Sequence, residues 1–161
     1  MIRPWEPRDG GGLWDLIYRY LKETYPVGYD AKPIPENVLI MLNAGMLAAR
    51  RGEPAVVAEV NGEALCQLVG WTLWASVETP IVTRGPTLQG MGTYVLPAFR
   101  RFQVASAMHR EAMKMASREE YIFIDRVAIP GSPGALMLER EGFKPVAQVY
   151  RKEVVYAARE P

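Results

Sequence analysis

A mixed α/β (α+β) fold, with a central sheet flanked by helices, is predicted by three features of this chain of 161 residues. The first third carries apolar residues at helical spacing. The middle switches to strand-like runs around an Asn61-Gly62 turn. The last third alternates strand, helix, strand, helix and strand. The predicted order is β-α-α-β-β-β-α-β-α-β. A meander followed by strand-helix-strand requires a parallel pair within an otherwise antiparallel sheet. The length suits one domain over residues 1–161, and 49% apolar with 23% charged residues is the balance of a globular protein.

Ile2 to Trp5 reads as a short first strand. Asp9 is placed to cap a helix from Gly10 to Glu23, with Leu13, Leu16, Ile17 and Tyr20 on one face. Its three leading glycines weaken it, by roughly 1 kcal/mol each relative to alanine where helical. Tyr25 to Pro35 holds three prolines and a glycine and reads as a loop. A second helix runs from Pro35 to Arg50, with Val38, Leu39, Leu42, Met46 and Ala49 as its apolar stripe and Gly52 as its stop. Strands follow over Ala55 to Val60, around Leu68 to Ala75, and over Met91 to Leu96, the last halted by Pro97. The helix from Arg101 to Met115 presents Val104, Ala105, Met108, Ala112 and Met115 on one face, which leaves His109 toward solvent. Tyr121 to Ala128 is a strand. Ser132-Pro133 opens a helix that ends at Gly142, and Val146 to Tyr156 is the final strand.

The formal net charge is +1, so nucleic acid is not an expected partner. No apolar run is long enough to cross a bilayer, so no membrane partner is expected either. The opening residues lack the apolar core of a signal peptide. Cys66, the single cysteine, lies in an apolar stretch and reads as a small core residue. The expected location is the cytoplasm. One histidine without a cysteine cluster argues against a metal site.

The chemistry is concentrated from Tyr94 to Met108. There a strand stops at Pro97, crosses the basic turn Arg100-Arg101, and enters a helix. A helix N-terminus offers unpaired amides and a positive dipole end, which suit a phosphate. The dipole disfavours two arginines there, by roughly 0.3–1 kcal/mol each, and a bound anion removes that conflict. A solvated basic turn is the alternative.

This segment resembles the strand-turn-helix motif of the GCN5-related N-acetyltransferases, Val-x-Pro-x-x-Arg-Gly-x-Gly-Ile-Gly-Ser-Ala-Leu. Val95, Pro97, Arg100, Val104, Ala105, Ser106, Ala107 and Met108 stand in register with it. The opening Ile-Arg-Pro and the late Glu139-Arg140-Glu141-Gly142-Phe143 are similar to the family as well, so the resemblance covers roughly residues 1 to 156. It implies an acyl-CoA N-acyltransferase-like fold, with acetyl-CoA as cosubstrate and a primary amine of a small molecule or peptide as acceptor. It places the pyrophosphate on Arg100, Arg101, Phe102, Gln103, Val104, Ala105 and Ser106. The strand ending at Val95 splays from Tyr121–Ala128 to take the pantetheine and acyl group, and an amide near Val95 faces the oxyanion.

Four positions depart from the family pattern. Arg101 and Gln103 replace glycines, Gly131 replaces an asparagine, and Leu138 replaces a tyrosine that often protonates the leaving thiolate. A second reading is therefore a GNAT-fold binding module without catalysis. If the chain is catalytic, Asp125 and Glu78 are the candidate bases, and Tyr94 can take over as acid. Gln103→Gly is expected to admit phosphates more closely at a cost of roughly 1 kcal/mol of helix stability. Arg100 is expected to contact the pyrophosphate. The acceptor is not named by the sequence. Oligomeric state is open, with a homodimer among the options.

Overall fold

The structure is a computed structural model that describes residues 1–24, 35–61, 66–77, 87–117, 123–126 and 133–144. The chain forms two compact units, Met1–Val127 and Ala128–Pro161. The first holds a five-stranded sheet of β1 (Ile2–Pro4), β2 (Ala55–Asn61), β3 (Cys66–Val77), β4 (Thr87–Val95) and β5 (Phe123–Arg126), in spatial order β1-β2-β3-β4-β5. The first four pair antiparallel. β4 and β5 pair parallel, as the strand-helix-strand order predicts, but the described pairing sets Thr87 opposite Phe123 and Gly90 opposite Arg126, on residues that precede the expected Met91–Leu96 strand, because β4 starts at Thr87.

Alternation along the strands divides the core in two. Ala55, Val57, Trp71, Leu73 and Tyr94 face α1 (Gly10–Thr24) and α2 (Pro35–Arg50), where Leu13, Leu16, Ile17, Leu21, Val38 and Ala48 join them. α3 (Val104–Ala116) covers the other face of the sheet through Met108, His109 and Ala112. Trp71 and Trp74 are both fully buried, as befits core residues. The second unit contributes α4 (Pro133–Arg140), which starts at the expected proline. Gly142, at φ 89°, ends it, and the Phe143 N–H donates to the Leu138 carbonyl at 3.0 Å, a left-handed stop.

Four sequence expectations are corrected here. His109 is 2% exposed and lies against Trp74, ring centroids 5.3 Å apart, because the buried face of α3 is Met108, His109, Ala112 and Ala116. Leu39 is exposed, because α2 turns Val38, Gly45 and Ala48 inward. Gly45 sits under the Trp5 ring, whose Nε1 is fixed to the Val56 carbonyl at 3.1 Å, and this close approach sets the rotation of the helix. Asp9 ends a 3-10 turn, Pro7–Asp9, and its carboxylate accepts the Glu6 N–H at 2.7 Å instead of capping α1. The Arg101 helix begins three residues later than expected, at Val104. The proposed loops at 25–35 and 80–86, Gly62, Ser132, and the final strand at 146–156 lie wholly or largely outside the described residues.

One ion network ties the N-terminal elements together. Arg3 on β1 gives Asp9 two hydrogen bonds, 2.8 and 2.7 Å, and Glu59 on β2 two more, 2.8 and 3.1 Å. Both carboxylates are buried. Burial alone pushes the Asp9 pKa up, but the hydrogen bonds from Arg3 and the Glu6 amide outweigh it, and the net shift is down. Glu59 is lowered chiefly by its hydrogen bonds from Arg3.

Two predictions follow from this packing. Gly45→Ala drives a methyl into the Trp5 ring and should destabilise by about 3 kcal/mol. Gly11→Ala, in the same kind of element but facing open space, should stabilise by about 0.5–1 kcal/mol. Urea unfolding of both variants separates them, and a loss of stability in both would contradict the placement of α1.

Arg3→Ala strands the buried Asp9 carboxylate and should cost about 3 kcal/mol at pH 7. Because the folded-state pKa values of Asp9 and Glu59 are depressed, their contribution is present above about pH 4 and is lost as pH falls through those values. The gap between wild type and Arg3→Ala should therefore close in acid. A gap that stays constant down to acid unfolding would rule the network out as its source.

Candidate active site

The site is built at the end of β4. Leu96, the first residue past the strand, donates its N–H to the Val69 carbonyl at 2.8 Å. In an antiparallel ladder that bond makes the Gly70–Val95 pair a non-hydrogen-bonded one, so Val95 directs its own N–H and C=O away from β3. They point to the side on which β5 pairs. The described pairing with β5 stops at Gly90, and Met91 is the extra residue of a bulge, between Gly90 opposite Trp74 and Gly92 opposite Leu73. Bulges bend a strand and increase its twist, so the β4 backbone changes course where its described β5 pairing ends. Gly70 lies across from Val95, and a Cβ there would stand 2.9 Å from the Tyr94 carbonyl and 3.2 Å from Val95 Cγ2. The close strand contact therefore depends on the missing side chain.

The turn after Val95 is a 3-10 segment, Pro97–Phe102, which contains Arg100, Arg101 and Phe102. Gln103 follows at φ 54° and ψ 23°, the only non-glycine residue with positive φ among the described residues. That conformation crowds a Cβ, and glycine adopts it freely. The sequence motif has a glycine at this position, and the backbone keeps the glycine geometry although the residue is glutamine. Gln103 makes no side-chain cap. The Ala107 N–H donates to its carbonyl at 3.0 Å, closing the first turn of α3, so the amides of Val104, Ala105 and Ser106 precede any intrahelical acceptor. A right-handed residue followed by a left-handed one also gathers successive amides into a concavity that fits an anion. Helix dipole, free amides and concavity coincide at Gln103–Ser106.

Arg100 faces the opposite way. Its Nε donates to the Val95 carbonyl at 2.9 Å, and Nη2 pairs with Glu23 in the last turn of α1. The guanidinium carbon lies 5.5 Å from the Tyr94 ring centroid. The Tyr94 hydroxyl donates to the other Glu23 oxygen at 2.7 Å. Burial and this hydrogen bond to a carboxylate push the Tyr94 pKa up to about 12. Burial raises the Glu23 pKa, but the hydrogen bonds from Tyr94 and Arg100 prevail and lower it overall.

Tyr94, Val95, Arg100 and the Arg101–Ser106 turn thus lie on one strand-turn-helix corner, as the sequence predicts. Asp125 lies on β5 opposite Gln89, beyond the bulge from Val95. Glu78 lies outside the described residues, as does Gly131. Leu138 is buried on α4. Glu23 escaped sequence reasoning. It sits 71 residues from Tyr94 and 77 from Arg100, and its only local signal is a charge on the last turn of an amphipathic helix. Among the described residues no cluster of three metal-ligating side chains occurs, and no helix is long and apolar enough to cross a membrane.

No curated protein sequence matches the chain. Solved structures match its fold. A probable acetyltransferase superposes with a TM-score of 0.65 at 17% identity, covering 99% of both chains. AAC(6')-Iy, in complex with the bisubstrate analog CoA-S-monomethyl-acetylneamine, gives 0.61 at 16% identity, covering 96% of this chain and 98% of that one. The ribosomal-protein-alanine N-acetyltransferase of Brucella melitensis biovar Abortus 2308 gives 0.60 at 16%, covering 98% and 99%. The family model of the acetyltransferase (GNAT) family matches residues 14–138, a span that contains the bulged strand, the left-handed corner and the helix behind it. This chain therefore belongs to the acetyltransferase (GNAT) family, the acetyl-CoA-dependent N-acetyltransferases.

Proposed function

We propose that the corner after β4 binds acetyl-CoA by its backbone and that Val95 supports the transfer. The observation that carries this reading is the left-handed Gln103, which opens the N-terminus of α3 directly behind a strand whose last amide is turned away from β3. The pyrophosphate is assigned to the amides of Val104, Ala105 and Ser106, behind the left-handed Gln103 and flanked by Arg101 and Phe102. Arg100 is assigned to the other end of the site, because two of its three nitrogens are already engaged by Val95 and Glu23.

The acceptor nitrogen attacks the thioester carbonyl carbon. The carbonyl oxygen takes the electron pair and is met by the outward Val95 N–H. Collapse re-forms the carbonyl and expels the CoA thiolate, which takes up the second proton of the attacking nitrogen, directly or through water, to leave the amide and the CoA thiol. The amine must lose its ammonium proton first, and Asp125 and Glu78 remain the carboxylates proposed for that step, directly or through water. Tyr94 holds its proton too tightly, at a pKa of about 12 and in a bond to Glu23, to be a ready donor to the thiolate. Its role is assigned to holding the site in place. The acceptor is proposed to be a small-molecule or peptide amine. An aminoglycoside and an alanine-initiated peptide, suggested by the proteins of similar fold, form a first panel. Cytoplasmic action is part of the same reading and fits a chain with a single cysteine.

Calorimetric titration with acetyl-CoA and thiol release over an amine panel test the reading directly. Wild type that neither binds acetyl-CoA nor releases CoA would overturn it.

The backbone at Gln103 removes one sequence-based expectation, the loss of helix stability in Gln103→Gly. Gln103 is not helical, so Gln103→Gly costs no helix propensity. It removes a strained left-handed side chain, worth about 1 kcal/mol, against a similar entropic cost of glycine in the unfolded chain. The ligand-free variant should melt within a few degrees of wild type. Acetyl-CoA should bind it more tightly, and its ligand-induced rise in melting temperature should exceed that of wild type. A smaller rise would place the phosphates elsewhere.

A further inference from the structure

We propose that Glu23 is a positioning residue for acyl transfer, which locks the Tyr94–Val95 segment through Tyr94 and Arg100. This rests on the assignment of Val95 to the thioester. Three observations converge on it. Glu23 divides its two carboxylate oxygens between Tyr94, on β4, and Arg100, on the turn that follows. Arg100 passes the constraint on by donating Nε to the Val95 carbonyl. Its guanidinium also stands over the Tyr94 ring. The Val95 carbonyl points to the same side as the Val95 N–H, so the residue proposed to meet the oxyanion is held by its other backbone group.

The strand needs such a hold. On the β3 side, Val95 is the non-hydrogen-bonded member of the ladder. On the other side, β4 has no described partner beyond Gly90. The Val95–Leu96 peptide is tied to β3 on one side only, by the Leu96 N–H, so its carbonyl side can tilt, and a misplacement of an ångström at a reacting centre costs up to about a hundredfold in rate. Arg100 supplies the missing bond. Glu23 fixes Arg100 in the one orientation that makes it, and the Tyr94 hydroxyl fixes Glu23. The clamp also joins the last turn of α1 to β4. Tyr20, one turn earlier on that helix, packs edge-on against both Trp71 at 5.1 Å and Tyr94 at 6.4 Å.

Ion pairs at this exposure contribute little to stability, so loss of the clamp should leave folding nearly unchanged while it disturbs the peptide. Steady-state kinetics with the best amine of the panel, together with acetyl-CoA calorimetry, should be run on wild type, Glu23→Ala and Glu23→Gln. Glu23→Ala should lower kcat by about tenfold or more, with the acetyl-CoA dissociation constant within about twofold of wild type. Glu23→Gln can offer its carbonyl oxygen to Arg100 and donate its NH2 to the Tyr94 hydroxyl oxygen, and should recover much of kcat. Arg100→Ala should show the loss of Glu23→Ala, and the double variant should lose no more than either one. Alkaline titration at 295 nm should show one tyrosine of Glu23→Ala ionising lower than in wild type.

An active wild type whose Glu23→Ala variant keeps its kcat overturns the clamp alone. So does a Glu23→Ala variant that loses acetyl-CoA affinity in place of turnover, or equal losses in the Ala and Gln variants together with a lowered melting temperature. A wild type that binds no acetyl-CoA overturns the assignment of Val95 to the thioester, and the positioning role falls with it.

Discussion

The hydrogen bond from Leu96 N–H to the Val69 carbonyl is small, but the geometry of the site depends on it. It fixes the phase of the β3–β4 ladder at its last rung. With that phase set, Val95 must turn both backbone groups away from β3. Had the register slipped by one residue, Tyr94 would hold that position, and the side chains of the two residues would exchange faces. The close approach at Gly70 protects the register, because any larger residue there would collide with the Tyr94 carbonyl and the Val95 side chain. The bulge at Met91 acts upstream. It bends β4 so that the strand can pair with β5 over Thr87–Gly90 and still reach its last rung with β3 intact.

The two neighbouring residues Tyr94 and Val95 then divide the labour between the faces of the sheet. Tyr94 belongs to the aromatic cluster under α1, with Tyr20, Trp71 and Trp5 in edge-to-face contact. Val95 belongs to the face covered by α3, with Met108 beneath Gly70. Arg100 joins the two sides by taking the Val95 carbonyl with one nitrogen and Glu23 with another. The first network in the chain, Arg3 with Asp9 and Glu59, works in the same manner at the far edge. There a single guanidinium holds β1, β2 and the turn before α1. A planar cation with a fork of donors suits both places, because lysine could not serve two partners in fixed directions.

Much of this was legible in the sequence, for physical reasons. Period-2 and period-3.6 patterns placed the helices and the central strands, and prolines and glycines marked their ends. Pro35 opens α2, Pro97 ends β4, and Gly142 ends α4. The parallel pairing of β4 and β5 came from connectivity alone. The pattern failed where side chains contradict polarity. His109 is polar but buried against Trp74, and Leu39 is apolar but exposed, because Gly45 and not a larger residue meets Trp5. No periodicity rule gives a glycine the centre of a helix interface. The corner was read as helix from Arg101 because nothing in Arg-Arg-Phe-Gln announces a left-handed residue. Only the family pattern, with its glycine, hinted at the backbone that glutamine adopts. Glu23 was invisible because its partners are over seventy residues away and no local signal sets one helix-surface carboxylate apart from another.

The charge layout at the corner separates binding from positioning. Two arginines at the start of a helix oppose its dipole, and the sequence suggested a bound anion as the remedy. The structure adds a second remedy for one of them. Arg100 lies in the 3-10 segment, before the left-handed residue, and its charge is met by Glu23 and by the Val95 carbonyl. The positive potential left to attract a phosphate then comes from the charge of Arg101 and from backbone amides, whose orientation is fixed by the fold and carries no rotamer entropy. A site that binds through its backbone tolerates glutamine in place of glycine, provided the left-handed conformation survives, and Gln103 shows that it does. At Gln103 the departure from the family pattern is therefore one of side chain, on a left-handed backbone that suits glycine. On the proposed reading, acetyl-CoA recognition is kept in the geometry of the chain even where the residue type has changed.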